Sequence, residues 1–317
     1  MRLADEMGIM LTARLVLVRC CRRNRCCLPF RLLLLVLAIA LPAVLAAQVR
    51  QSNDIVSFRL RDGYLIIVQT MVNGSGPFNF LLDTGATHTV IDPNLARQLQ
   101  LPVIGEASLT TVSDVRQDQL VRLKAVRVGS SEVSELGAVI DKLDQVKLKA
   151  SGIRGVLGED FLSNFDFLID YKNRTLRFGG DAPAGDRCRF ETMGRYHGLP
   201  TTNRLLIDAE FMGVSGGKVQ LQLDTAAKMP ELFPIRPDKF PSKPWAGSMA
   251  FSSSGPNGTS IHPHTAIKVG ATSVSDLDVV QSRRGVAFDA VGLLPAFIFQ
   301  RIYISHTGGF VVLNPPA

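Results

Sequence analysis

The sequence predicts an all-β protein built as two duplicated lobes. Each lobe is a small β-barrel with few short helices, and a cleft lies between the two. Three observations carry that prediction. Apolar side chains alternate with period two in the best-patterned segments. Three blocks of sequence, the last of them in two parts, recur in the same order in both halves. Helical patterns are scarce, while Gly, Pro and Asn punctuation is frequent.

The 317-residue chain opens with a leader over residues 1–47. A basic stretch ends at Arg31, and an apolar run, Leu32 to Leu41, follows it before Pro42. Small residues around Ala46 and Ala47 suit a signal peptidase. The run from Leu32 to Ala47 is 16 residues, short of the roughly 20 that span a bilayer. An exported protein, periplasmic or extracellular, is therefore expected. An uncleaved N-terminal anchor is the alternative.

The leader also explains the charge. The formal net charge is +7, but seven arginines against Asp5 and Glu6 place +5 of it in the leader. The rest holds 28 basic and 26 acidic groups, too balanced for a phosphate-binding footprint. No nucleic-acid partner is expected. Four of the five cysteines (Cys20, Cys21, Cys26, Cys27) lie in the leader, so the body holds Cys188 alone and has no internal disulfide. A composition of 46% hydrophobic and 20% charged residues excludes a disordered or coiled-coil chain.

The first lobe is expected over residues 48–185 and the second over 186–317, with a Gly/Pro-rich linker at 179–186. FNFLLDTG (78–85) reads as a strand running into an Asp, with Phe78, Phe80 and Leu82 on one face. VQLQLDTA (219–226) repeats it, with Val219, Leu221 and Leu223. VRVGSSEVSEL (126–136) matches IKVGATSVSDL (267–277), and the distance from Asp to Gly is 46 residues in both halves. GVLGEDF (155–161) matches GLLPAFI (292–298), and FLIDYKNRTLRF (167–178) matches IYISHTGGFVVL (302–313). Asn73–Pro77 and Gly213–Gly217 read as hairpin turns ahead of the two Asp strands. Pro93 to Leu99 reads as a helix, capped by Asp92 with Pro at its first turn.

A carboxylate at the end of an apolar strand is costly unless it is paired or hydrogen-bonded. Two such Asp residues, one per lobe, meet if the lobes are related by a pseudo-twofold axis. Two adjacent carboxylates share one proton, and their pKa values split. The ionised partner can take a proton from water, and the protonated one can hydrogen-bond a carbonyl. That chemistry hydrolyses a peptide bond with no metal and no cofactor.

LLDTGATHTVID (81–92) resembles the active-site strand and turn of aspartic peptidases, and GVLGEDFLSNFDFLIDYKNRTLRF (155–178) resembles the supporting segment of the retropepsin-like branch. The resemblance covers most of residues 54–180, with a weaker match over 200–315, and implies a pepsin-like bilobal arrangement. It implies Asp83 and Asp224 as the two catalytic carboxylates. It implies bridging hydroxyls from Thr84 and Thr225, and close approach of the loop at Gly85. Buttresses are implied at Gly155, Val156, Leu157 and Gly158 and at Gly292, Leu293 and Leu294. The implied partner is a peptide or protein substrate.

The second lobe departs from this pattern. It has Asp224-Thr225-Ala226-Ala227 in place of Asp-Thr-Gly, Lys228 where the first lobe has Thr87, and Pro295 where the first has Gly158. Ala226 would cost on the order of 1 kcal/mol if the position needs positive φ or tight backbone contact. Lys228 is expected to be solvated. Ala86 and Ala227 lack the hydroxyl that pepsin-like enzymes carry there, which predicts a mildly acidic optimum. Two alternatives stand beside the intramolecular dyad: a homodimer using first lobes only, and a peptide-binding protein that has lost catalysis.

The remaining motifs have plain readings. Gly213-Val-Ser-Gly-Gly217 fits a hydrolase nucleophile pattern but aligns with a hairpin turn. His262 and His264 have no third ligand at metal-site spacing. Asn73, Asn173 and Asn257 lie in glycosylation sequons. Flaps over the cleft are expected near residues 104–120 and 245–262, the second rich in Gly and Ser. The stretch from Gln48 to Ser57 is too short for a long pro-segment.

Overall fold

The computed structural model describes residues 49–50, 54–110, 115–144, 146, 152–192, 194–196, 199–201, 204–212, 217–233, 260–281 and 292–316. The leader, the Gly213–Gly216 part of the second turn and most of the second flap lie outside these residues. Among the described residues, no helix is long and apolar enough to cross a membrane.

The protein is mostly β, and each half closes a six-stranded barrel. In the first, the ring runs through strands Ser131–Ile140, Thr89–Ile91, Gly155–Leu157, Ser75–Leu82, Leu65–Val72 and Val115–Val128, which pairs back to Ser131–Ile140. The second ring runs through Thr272–Gln281, Glu231–Leu232, Gly292–Pro295, Lys218–Asp224, Leu206–Phe211 and Ser260–Val269, which returns to Thr272–Gln281. The sense of pairing agrees at every step, including the parallel Ser75–Leu82/Gly155–Leu157 and Lys218–Asp224/Gly292–Pro295 contacts. The duplication read along the chain thus reappears as one strand plan used twice.

Closure removes the sheet edges that would otherwise seek partners. It also packs alternate side chains inward. Phe80 and Leu82 are fully buried, as are Leu221 and Leu223. Each such side chain stabilises the fold by about 1.5–3 kcal/mol.

A six-stranded sheet joins the two halves. Its order is Ile55–Ser57, Thr175–Phe178, Phe167–Asp170, Arg301–Ser305, Phe310–Leu313 and Arg187–Glu191. The central pair is antiparallel, with Phe167 opposite Ile304 and Ile169 opposite Ile302. Three strands come from each half, so the sheet is symmetric about that pair. Strand Arg187–Glu191, just after the 179–186 linker, is therefore part of the joint between the halves.

Helices are few and short. Pro93–Gln98 forms where the capping pattern predicts it. The Asp92 carboxylate accepts from the Asn94 and Leu95 amides at 2.9 and 3.2 Å. The Asn73-Gly74 turn has both residues at positive φ, as a tight hairpin requires. The described part of the first flap is an antiparallel hairpin, Val103–Thr110 against Val115–Val121.

Candidate active site

The two Asp strands end beside each other, and each is held by a strand parallel to it. The Asp83 amide donates to the Leu157 carbonyl at 3.0 Å, and Asp224 stands in register with Pro295. Pro295 therefore continues the second buttress despite replacing Gly158. It lies at the end of its strand, where a missing N–H matters little.

The two turns interlock through their threonines. The Thr84 hydroxyl donates to the Leu223 carbonyl at 2.8 Å, and the Thr225 hydroxyl donates to the Leu82 carbonyl at 2.8 Å. The Thr84 amide donates to Thr225 Oγ1 at 3.0 Å, and the Thr225 amide to Thr84 Oγ1 at 3.1 Å. Both side chains are buried. Both hydroxyls and both amides of this knot have partners, so the strand ends are fixed to each other across the lobes.

The carboxylates converge beside the knot. The Gly85 amide donates to Asp83 Oδ1 at 2.8 Å. In the second turn, the Ala226 and Ala227 amides donate to Asp224 Oδ1 at 2.6 and 3.0 Å. A Cβ on Gly85 would fall 2.6 Å from Asp224 Oδ2 and 2.9 Å from Asp83 Oδ1. The carboxylates thus face the same small volume, and the glycine is needed for closeness. Positive φ is not the reason, since neither Gly85 nor Ala226 has it. Ala226 keeps its amide on Asp224 and rests its methyl against the apolar cluster of Tyr64, Leu65, Ile67 and Leu81.

Burial, and then the neighbouring Asp224, push the Asp83 carboxyl up to about 8. The Gly85 and Ala86 amides work against that rise, and the charge of Glu159 adds to it. Such a pair holds one proton over a wide pH range.

The buttress fits closely against the first turn. A Cβ on Gly158 would lie 2.6 Å from the His88 carbonyl carbon and oxygen and 2.9 Å from the Ala86 oxygen. The Glu159 amide donates to that Ala86 oxygen at 2.8 Å. Added side chains at Gly155 and Gly292 would drive into the Phe80 ring and the Glu231 carbonyl. Leu157 is fully buried beneath the turn. Lys228 is exposed, as its composition predicts.

Several residues at the site were not singled out by sequence. Gln222, buried, donates its side-chain amide to the Gly85 carbonyl at 3.0 Å and accepts from Arg204 at 3.4 Å. Its equivalent in the first lobe is Leu81, and that exchange of an apolar for a polar residue in a duplicated strand was the available signal. Glu159 and His306 form a second buried group. His262 and His264 lie on a second-lobe hairpin, bonded to Gln281 and Asp276. Among the described residues, no group of three or more His, Cys, Asp or Glu side chains is placed to hold a metal.

The protein thus combines two β-barrels of one plan, a shared six-stranded sheet and paired Asp-Thr turns. Residues 68–164 match the family of gag-polyprotein putative aspartyl proteases. The chain is also similar to a retropepsin-like aspartic protease from Rickettsia conorii, at 19% identity and a TM-score of 0.30, over 42% of this chain and 93% of that one. No curated protein matches it. The family match falls on the first half of the chain.

Proposed function

We propose that the protein is an aspartic endopeptidase whose dyad, Asp83 and Asp224, is completed within one chain. The observation that carries this reading is the reciprocal Thr84–Thr225 knot beside two carboxylates that face one glycine. With Asp83 as the raised member, the shared proton resides there. Asp224 then acts as the base that takes a proton from water. The hydroxyl adds to the scissile carbonyl while Asp83 hydrogen-bonds its oxygen. Collapse of the tetrahedral adduct breaks the C–N bond, and the amine leaves with the proton that Asp224 received. The bilobal chain supports a monomer with a peptide or protein substrate, and the leader supports export.

The test is cleavage of a mixed peptide library from pH 3 to 8 by the chain starting at Gln48, beside Asp83→Asn and Asp224→Asn. Loss of about 10²–10⁴-fold in both variants is expected, the scale of general acid–base catalysis. Activity that survives Asp224→Asn sinks the intramolecular dyad in favour of paired first lobes. Peptide binding without cleavage by the wild type sinks the enzymatic reading.

A further inference from the structure

A pair of titratable side chains lies behind the first carboxylate turn, buried and outside the dyad. Glu159 is fully buried, and the His306 side chain is 5% exposed. His306 Nε2 and Glu159 Oε2 are 2.8 Å apart, and His306 Nδ1 is 2.8 Å from the Phe165 carbonyl. A carbonyl can only accept, so Nδ1 carries a proton. A second proton lies between Nε2 and Oε2. The pair is therefore neutral as a whole, whichever partner holds that proton.

We propose that His306, from the second half of the chain, is a positioning residue for the Asp83 turn and acts through Glu159. The proposal rests on the peptidase reading above. The route is short. Glu159 bonds the Ala86 carbonyl through its own amide, and the Ala86 amide donates to the Asp83 carbonyl at 3.3 Å. Gly158 fills the space against Ala86 and His88 with no slack, so a shift of Glu159 displaces the turn.

His306 is itself anchored. Asp166 accepts from Ser305 Oγ at 2.9 Å and from Thr307 Oγ1 and N at 2.6 and 3.0 Å. The Phe167 and Phe190 rings pack against the imidazole, with centroids 5.8 and 5.9 Å away. The charged groups that face the pair are Asp166 on the His306 side, and Asp160 and Asp83 on the Glu159 side.

The symmetry of the shared sheet supports a role at the turn. Residue 306 is equivalent to Tyr171, which is buried and close enough to Asp224 to feel its charge. Each carboxylate turn thus has a residue of the opposite half near it. Only the first has an acid–base pair there, since Ala296 stands where Glu159 does.

The experiment compares wild type, His306→Phe, His306→Gln and Glu159→Gln. It reads kcat, KM and the pH profile, with Tm measured alongside. His306→Phe is expected to lower kcat by about tenfold or more, with KM within about twofold, as for a misplaced reacting group. Glu159→Gln keeps a hydrogen bond but removes the carboxyl that shares a proton with His306 beside the Asp83 turn. Its alkaline limb is expected to move while Tm holds. His306→Gln, which can still donate to Glu159, is expected to recover most of the loss.

Unchanged kcat in folded His306→Phe, an unmoved limb in Glu159→Gln, or losses that only follow the folded fraction would each overturn the proposal. Failure of all three variants to fold would do so too, by making the pair purely structural. If the wild type cleaves nothing, the peptidase reading fails separately. The Asp83 titration, followed by carboxyl-carbon NMR in wild type and Glu159→Gln, then decides the positioning alone, and identical curves sink it.

Discussion

Gly85 and Ala226 occupy the same step of two equivalent turns, yet only Ala226 has room for a methyl group. The reason is which way each position faces. A Cβ at Gly85 enters the space between the carboxylates, whereas that of Ala226 meets apolar side chains. Gly85→Ala should therefore lower kcat/KM by about 10²-fold or more, since a 1 Å misplacement of reacting groups has that effect. The Tm should move by only a few degrees. Ala226→Gly should retain cleavage within a few-fold and lower stability by about 0.4–1 kcal/mol through added freedom of the unfolded chain. Steady-state kinetics and thermal unfolding of the two variants check both outcomes. A Gly85→Ala variant as active as wild type would mean that the carboxylates do not work in that space.

At the scale of elements, the threonine knot turns two strand ends into one unit. Thr84→Val and Thr225→Val each remove two hydrogen bonds and leave a buried amide and carbonyl unpaired. Each orphaned group costs about 1–3 kcal/mol. The two changes remove different pairs of bonds from one interlocked set of four, so a double-mutant cycle should show a coupling of about 0.5–3 kcal/mol. Additive effects on denaturant unfolding would show that the turns are held independently. Much of this was legible along the chain. The Asp-Thr pairs end period-two strands, Asp92-Pro93 starts the helix, and equal spacing within each repeat shows that the plan is used twice. The joining sheet was not legible, because its central pairing joins Phe167 to Ile304, residues far apart in sequence with no local pattern to mark them. The Glu159–His306 and Gln222–Gly85 bonds were hidden for a related reason. A polar residue in an apolar strand or turn reads as exposed until its partner is known, and the partner comes from the other half of the chain.

For the whole molecule, closing two barrels onto a common sheet brings a partly buried acidic pair together, and this ties stability to pH. Folding holds the Asp83 proton more tightly than the unfolded chain does, because burial and then Asp224 raise its pKa to about 8. A group raised in this way contributes stability that is fully present below the unfolded value, near 4, and lost as pH rises through the folded one. Between about pH 4 and 8 the wild type should therefore lose stability relative to Asp83→Asn, whose amide does not titrate. Denaturant unfolding of both proteins across that range reads the difference, and contributions from groups remote from the pair cancel in the comparison. The same proton sets the upper edge of activity. Once both carboxylates are ionised, nothing remains to hydrogen-bond the substrate carbonyl, so kcat should fall as pH passes about 8. If the stability difference were flat, Asp83 would titrate alike in folded and unfolded chains. The cleft would then not be forcing the two carboxylates to share a proton, and the catalytic cycle proposed for them would lose its acid.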